Sequence, residues 1–205
     1  RILLEAGLDA GEFDLSELDD IKIKGYQIPG PQETARSLQP LFVAYDILVQ
    51  QVDDTLRFFH RRDARRVPIA SKFLAAGDGY APIRVTETPH HKLSDEVTVD
   101  YLDAHNNFNQ GSQVQRRNNN LSTVSTAMRL PLVLSPQAAR EIASRLLWVE
   151  WNSRFEVEFR IPAPEFVGKL REGDIAVFEA LGETWEVLVE KLDRGADLML
   201  EVKGR

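Results

Sequence analysis

Leu130-Pro131-Leu132-Val133-Leu134-Ser135-Pro136 is the stretch on which the fold turns. The apolar run ends at Ser135, whose hydroxyl is placed to accept a free N–H of a helix's first turn. Pro136, at the first helical position, gives up an N–H that has no partner there. Downstream, Ala139, Ile142, Ala143, Leu146 and Val149 recur at helical spacing. This predicts a helix over 136–152 with one apolar stripe, and places Arg140, Glu141, Arg145 and Glu150 in water. Asn152-Ser153 closes the helix. Phe155, Val157 and Phe159 then alternate with Glu156, Glu158 and Arg160, the pattern of a half-buried strand. Such a helix must lie on a sheet, and the segments on either side can each supply one. The stretch carries architecture and no chemistry.

Upstream, Arg1 to Gly7 reads as the last turns of a helix with glycine beyond its end, as in a piece of a longer protein. An acidic stretch, Asp9 to Asp20, leads to a short strand at Ile21–Tyr26, which Pro29-Gly30-Pro31 breaks. Ala35, Leu38, Leu41, Phe42 and Tyr45 predict a helix, with Pro40 expected to kink it or stop it early. Ile47–Val52 and Leu56–His60 around Asp53-Asp54 predict a β-hairpin. A loop is expected at Gly77-Asp78-Gly79, and strands over Ile83–Thr88 and Glu96–Asp103. His105 to Asn120, rich in Asn, Gln, Ser and Arg, reads as a long polar loop, and long loops in compact domains tend to be functional or disordered. Beyond Pro162, tight turns at Leu170–Asp174, Leu181–Glu183 and Asp193–Gly195 separate short strands, as in a small barrel or curled sheet. The fold class expected is therefore α+β and β-rich. A small αββ-type unit over 1–66 precedes an antiparallel, barrel-like β unit over 67–205 with one long packing helix, 136–152.

With 205 residues the chain is long enough for a substantial core. It has no cysteine, so disulfides, thiolate metal sites and a cysteine nucleophile are excluded. No apolar run is long enough to span a bilayer, and no membrane partner is expected. A net charge of −7 disfavours tight non-specific binding to nucleic acid or anionic lipid.

The order of segments resembles a known family. Val97-Thr98-Val99-Asp100-Tyr101-Leu102-Asp103 is followed by Asn107-Phe108, by Gln110-Gly111-Ser112-Gln113 and by Arg116-Arg117. Then come the Leu130–Leu134 run, the Ala139–Ala143 helix and the Glu172-Gly173-Asp174 turn. The first half adds a Gly25–Ile28 strand and an Ala35–Leu41 helix. Together these resemble the tail-tip and baseplate hub proteins of long-tailed phages and the host-specificity hub proteins of gene transfer agents, the putative phage tail protein family. Ala104 stands where that family usually has proline, and Asn107 and Phe108 where it has Asp and Tyr. The resemblance implies a non-enzymatic structural component of a phage or prophage tail tip, joining tail tube to tip around the DNA channel. It implies other phage tail proteins as partners, a homotrimer in the full-length protein, a place in the virion after synthesis in the bacterial cytoplasm, and no cofactor.

Residues with chemical potential were weighed beside it. Adjacent His90-His91 point apart on a strand and cannot readily share a metal, and His60 and His105 stand alone, so no metal site is expected and the histidines read as solvated loop residues. Asp19-Asp20 and Asp53-Asp54 suit turns better than a glycosidase cleft. No serine lies in a Gly-x-Ser-x-Gly elbow. Arg57, Arg61, Arg62, Arg65 and Arg66, with Phe58, Phe59 and His60 among them, mix charge with aromatics. They read either as a single-stranded nucleic-acid surface or as structural arginines that solvate the end of a hairpin or meet the acidic 9–20 segment of a neighbour, and the negative total favours the structural reading, with no specific nucleic-acid binding. Of Trp148 and Trp151, one is expected in the core and one at an interface. The runner-up function is a surface carbohydrate- or protein-binding module using the 105–120 loop, and the third a cell-wall hydrolase.

Overall fold

The computed structural model describes residues 2–28, 30, 33–74, 82–117, 122–195 and 197–205. In chain order the elements are α1 (Ile2–Glu5), β1 (Phe13–Asp14), α2 (Thr34–Tyr45), β2 (Ile47–Val52), β3 (Thr55–His60), β4 (Arg66–Ile69), β5 (Ile83–Glu87), β6 (Ser94–Asp103), β7 (Gln110–Arg116), β8 (Val124–Leu134), α3 (Pro136–Asn152), β9 (Phe155–Pro162), α4 (Ala163–Phe166), β10 (Ile175–Ala180), β11 (Glu183–Arg194) and β12 (Met199–Gly204). The protein is α+β and β-rich with one long packing helix. Pro29, Pro31, the Gly77-Asp78-Gly79 loop and Asn118 to Asn120 lie outside the described residues.

Two compact units share the chain: Arg1–His60 with Pro89–Asn152, and Arg61–Thr88 with Ser153–Arg205. The chain thus passes between units at 60/61, 88/89 and 152/153.

In the first unit the Ser135 hydroxyl accepts the Ala138 N–H at 3.2 Å, so α3 starts where its sequence says. Of the two sheets that might have received α3, it lies on the earlier one, against β6 and β7 of the three-stranded order β7-β6-β8. Val97, Val99 and Tyr101 of β6 are buried beneath Ala139, Ile142, Ala143, Leu147 and Trp151. The stripe thus follows Leu147 and Trp151, with Leu146 and Val149 half-buried at its flank.

The polar loop predicted over 105–120 is a correction. A turn over 104–109 leads directly into β7, which pairs antiparallel with β6 from Leu102↔Gln110 to Glu96↔Arg116. The more covered positions of β7 are Gly111, Gln113 and Gln115, so a strand packed under a helix carries no hydrophobic alternation. Gly111 faces Tyr101, whose ring leaves no room for a Cβ.

The αββ arrangement is α2, β2 and β3. Helix α2 runs through Pro40 rather than stopping there, because one lost hydrogen bond is outweighed by burial of Leu41 and Ala44 on the following turn. It ends at Asp46, φ 54°, whose N–H donates to the Phe42 carbonyl. Asp53, φ 55°, makes the hairpin turn, and β1 adds a short parallel pairing to β3. The strand expected at 21–26 shrinks to a single bridge, Tyr26↔Leu132, because only the Gly25 carbonyl and Gln27 N–H hydrogen-bond to the backbone of β8.

The second unit is one six-stranded sheet in the order β4-β10-β11-β12-β9-β5, antiparallel except where β4 joins β10 in parallel. It curls about one core, to which both edge strands contribute, through Ile69 and Ile83, alongside Val157, Phe159, Ile161, Phe178, Val187 and Val202. Gly204 sits where a Cβ would lie 2.1 Å from the Leu188 carbonyl oxygen, so β11 and β12 approach closely only because this residue is glycine.

Candidate interaction surface

Among the arginines that are neighbours in sequence, Arg57, Arg62, Arg65 and Arg66 are each paired with a carboxylate. Arg57 on β3 grips Glu17 with two hydrogen bonds, of 2.6 and 2.9 Å, and its guanidinium lies 4.7 Å from the centroid of Phe59. Arg61 and Arg62 lie in a single 3-10 turn, where Arg62 reaches Asp63 at 3.4 Å. Arg65 donates at 2.6 Å to Asp174, which is only 1% exposed, and also to the Lys169 carbonyl. Arg66 meets Glu186 at 3.6 Å. Phe58 and Phe59 are buried, so their faces are closed to a stacking base. The acidic 9–20 segment is indeed met by Arg57, but that of the same chain.

His60 is also held rather than solvated. It is 8% exposed, with Nδ1 at 3.1 Å from the Tyr45 carbonyl and Nε2 at 2.8 Å from an Asp20 carboxylate oxygen. Arg145, expected in water, instead donates to the Val43 and Ala44 carbonyls at 2.7 Å each and so closes the C-terminal end of α2. Nothing in the helical pattern signals this contact, since its partners are backbone groups distant in sequence.

The tryptophans separate. Trp151 is 3% exposed, donates its indole N–H to the Ser94 carbonyl at 2.8 Å, and is covered by Arg117 at 3.9 Å from the ring centroid. Around it Glu150 accepts from the N–H and hydroxyl of Ser94, which also contacts Thr126 at 2.6 Å. Trp148 is 65% exposed on the outer side of α3.

Two apolar features of the first unit emerge only in the folded chain. One is a groove of about 510 Å³ lined by Ile2, Leu15, Ile21, Ile23, Leu38 and Phe42 among others, with Asp19 its one charged lining residue among the described residues. Its residues come from α1, α2, the hairpin and the irregular 15–26 segment, so no local pattern reports it. Tyr26 stands in its wall and donates its hydroxyl to the Ser37 carbonyl, and burial pushes this phenol's pKa up. The other feature is the β6–β7 turn. The Asn106 carbonyl accepts the Asn109 N–H at 2.9 Å, and Asn107 and Phe108 both have positive φ, 50° and 59°. This is a type I′ turn with Phe where Gly is favoured, and that Phe is 61% exposed. The signal present in sequence was an aromatic inside an Asn-rich turn.

The charged groups act as structural fasteners. The Glu96 carboxyl is held below its ordinary value chiefly by the hydrogen bond from Arg116, and that of Asp197 by the one from Arg160. Among the described residues no three His, Asp or Glu side chains gather as a metal site requires. No helix among them is long and apolar enough to cross a membrane.

Residues 33–191 match the model of a family described as "Putative phage tail protein". No curated protein matches the sequence. Among solved structures, a chain of the virion of a native gene transfer agent particle is similar in fold over 99% of this chain and 45% of its own, with a TM-score of 0.86 and 22% identity. The 43 kDa tail protein of prophage MuSo2 from Shewanella oneidensis is similar over 87% of this chain and 56% of its own, with a TM-score of 0.57 and 12% identity. Prophage tail protein gp18 from Listeria monocytogenes EGD-e is similar over 98% and 60%, with a TM-score of 0.53 and 12% identity. The chain spans about half the length of these solved chains.

Proposed function

The chain belongs to the putative phage tail protein family, and from that premise we propose that it is a structural segment of the hub at the tail tip, present in three copies around the DNA channel. Its place is the phage tail, and its partners are other tail proteins. The observation that carries the hub reading is the agreement of fold along nearly the whole chain with a chain of a gene transfer agent virion. A non-enzymatic role is supported by the way the titratable side chains are engaged. Asp174 is bound to Arg65, His60 to Asp20 and Tyr45, Glu17 to Arg57, and Ser94 to Glu150, each in a fixed structural contact.

The test is the absolute mass of the protein by light scattering, together with antibody labelling of tail particles. A trimer and labelling confined to the tail tip are expected. A monomer at all concentrations, or label spread along the tube, overturns the reading.

A further inference from the structure

We infer that the apolar groove of the first unit is the seat for the Phe108 turn of a second copy of this chain, an inference that rests on the multi-copy hub reading above. Phe108 is a bulky residue held at φ 59° in the turn between β6 and β7, a left-handed conformation that is costly for an L side chain and free for glycine. An unforced turn would carry Asn-Gly here. The strained aromatic instead stands 61% exposed at the tip of a hairpin, where it adds nothing to its own core. Strain of this kind persists where the strained residue has a use.

The groove supplies the complement. Its lining is almost wholly apolar, and of its members Ile23 is 46% and Leu15 42% exposed in the isolated chain. A single aromatic ring with its neighbours fits a cavity of about 510 Å³.

Charge argues for a copy of the same chain. Copies carrying −7 each repel through most of their surfaces. The tip, Ala104 to Gln110, has no acidic residue, and its one basic residue is His105. Among the described residues, the groove's one charged lining residue is Asp19. The two surfaces therefore meet without like-charge opposition. Asn residues flanking an aromatic anchor are also the composition of an adaptable polar rim. Knob and groove are different patches of one unit, so the contact is head-to-tail and closes into a ring when the rotation allows.

Three forms of the protein test this by light scattering and thermal melting: wild type, Phe108→Gly and Ile23→Glu. Phe108→Gly relieves the turn, so its melting temperature should rise when measured at a concentration where every form is monomeric, while its self-association weakens roughly tenfold or more. Ile23→Glu, at an exposed groove position, should weaken association to a similar degree. Mixed together, the two variants should form a one-to-one heterodimer, since one keeps an intact groove and the other an intact knob. If Phe108→Gly associates like wild type, the inference falls while the hub reading stands. If both variants are weakened yet the mixture forms no heterodimer, Phe108 docks elsewhere and the inference falls. If wild type is itself monomeric throughout, the hub reading falls and takes the inference with it.

Discussion

The two units solve the same problem with different means. The six-stranded unit encloses one contiguous apolar core, and its outer face is laced with paired charges such as Lys203 with Glu156 and Arg160 with Glu201. The helix-backed unit has an apolar core as well, but its pieces are joined by long-range polar fasteners. Trp151 is tied to Ser94, Arg145 to the end of α2, Arg57 to Glu17 and His60 to Asp20. The difference teaches that hydrophobic patterning specifies most of the six-stranded arrangement, whereas the helix-backed one depends more on individual side chains whose partners are distant in sequence.

The sharpest break comes at Trp151. Replacing it by Ala removes a buried indole and an indole hydrogen bond, at an expected cost of about 4 kcal/mol in urea unfolding. A loss below about 1 kcal/mol would show that the apolar face of α3 holds the first unit without this fastener.

Next is the exception within the six-stranded unit. Asp174 accepts from the Arg171 N–H at 2.9 Å as well as from Arg65. Asp174→Ala should cost about 2–3 kcal/mol, less than a fully buried pair because Arg65 is half-exposed. If it costs nothing, this unit is held by its core alone and the contrast with its neighbour is complete.

Arg145→Met keeps the aliphatic stem and removes two charge-assisted bonds, so about 1–2 kcal/mol should be lost. Hydrogen exchange should locate the loss in the last turn of α2.

The smallest effects are those of pH. Asp14 and Glu96 in the first unit and Asp197 in the second have carboxyls lowered below their ordinary 3.8, 4.5 and 3.8 by hydrogen bonds from Ser16, Arg116 and Arg160 respectively. Their contribution is present above those ordinary values and is lost as pH falls through the lowered ones. Lys191 and Lys203, both in the second unit, are raised above 10.5, chiefly by hydrogen bonds to Asp193 and Glu156. Their contribution is present below 10.5 and is lost as pH rises through the raised values. Acid should therefore loosen both units slightly, and alkali should loosen the second through these two lysines and the first through Tyr26 and Tyr45, whose phenols burial raises above 10.0. Residue-resolved NMR across both ranges checks which groups respond.

The same contrast explains what sequence could disclose. Ser135-Pro136, the Asp53-Asp54 hairpin and the alternation through Phe155, Val157 and Phe159 are local signals, and each element forms where those signals stand. Strand β7 escaped because Gly111, Gln113 and Gln115 occupy its covered side, and hydropathy is blind to a strand whose fit depends on Tyr101 lying over a glycine. The partners of the arginines were out of reach of a local pattern, since Arg57 finds Glu17 and Arg65 finds Asp174, both distant in sequence. The groove was beyond reach because its walls come from segments with no shared period.

The strand order of the second unit also governs time. Strand β12 lies between β11 and β9, near the middle of the sheet, yet it is made after every other strand described. On the ribosome, β4, β10 and β11 can assemble on one side, and β5 and β9 on the other, but the halves stay unjoined until residues 199–204 emerge. Until then each half exposes an open edge and part of an unfinished core, the condition under which nascent chains aggregate or recruit chaperones. With so many pairings between segments distant in sequence, the closing step is expected to be slow, and it is a vulnerable moment in building the subunit.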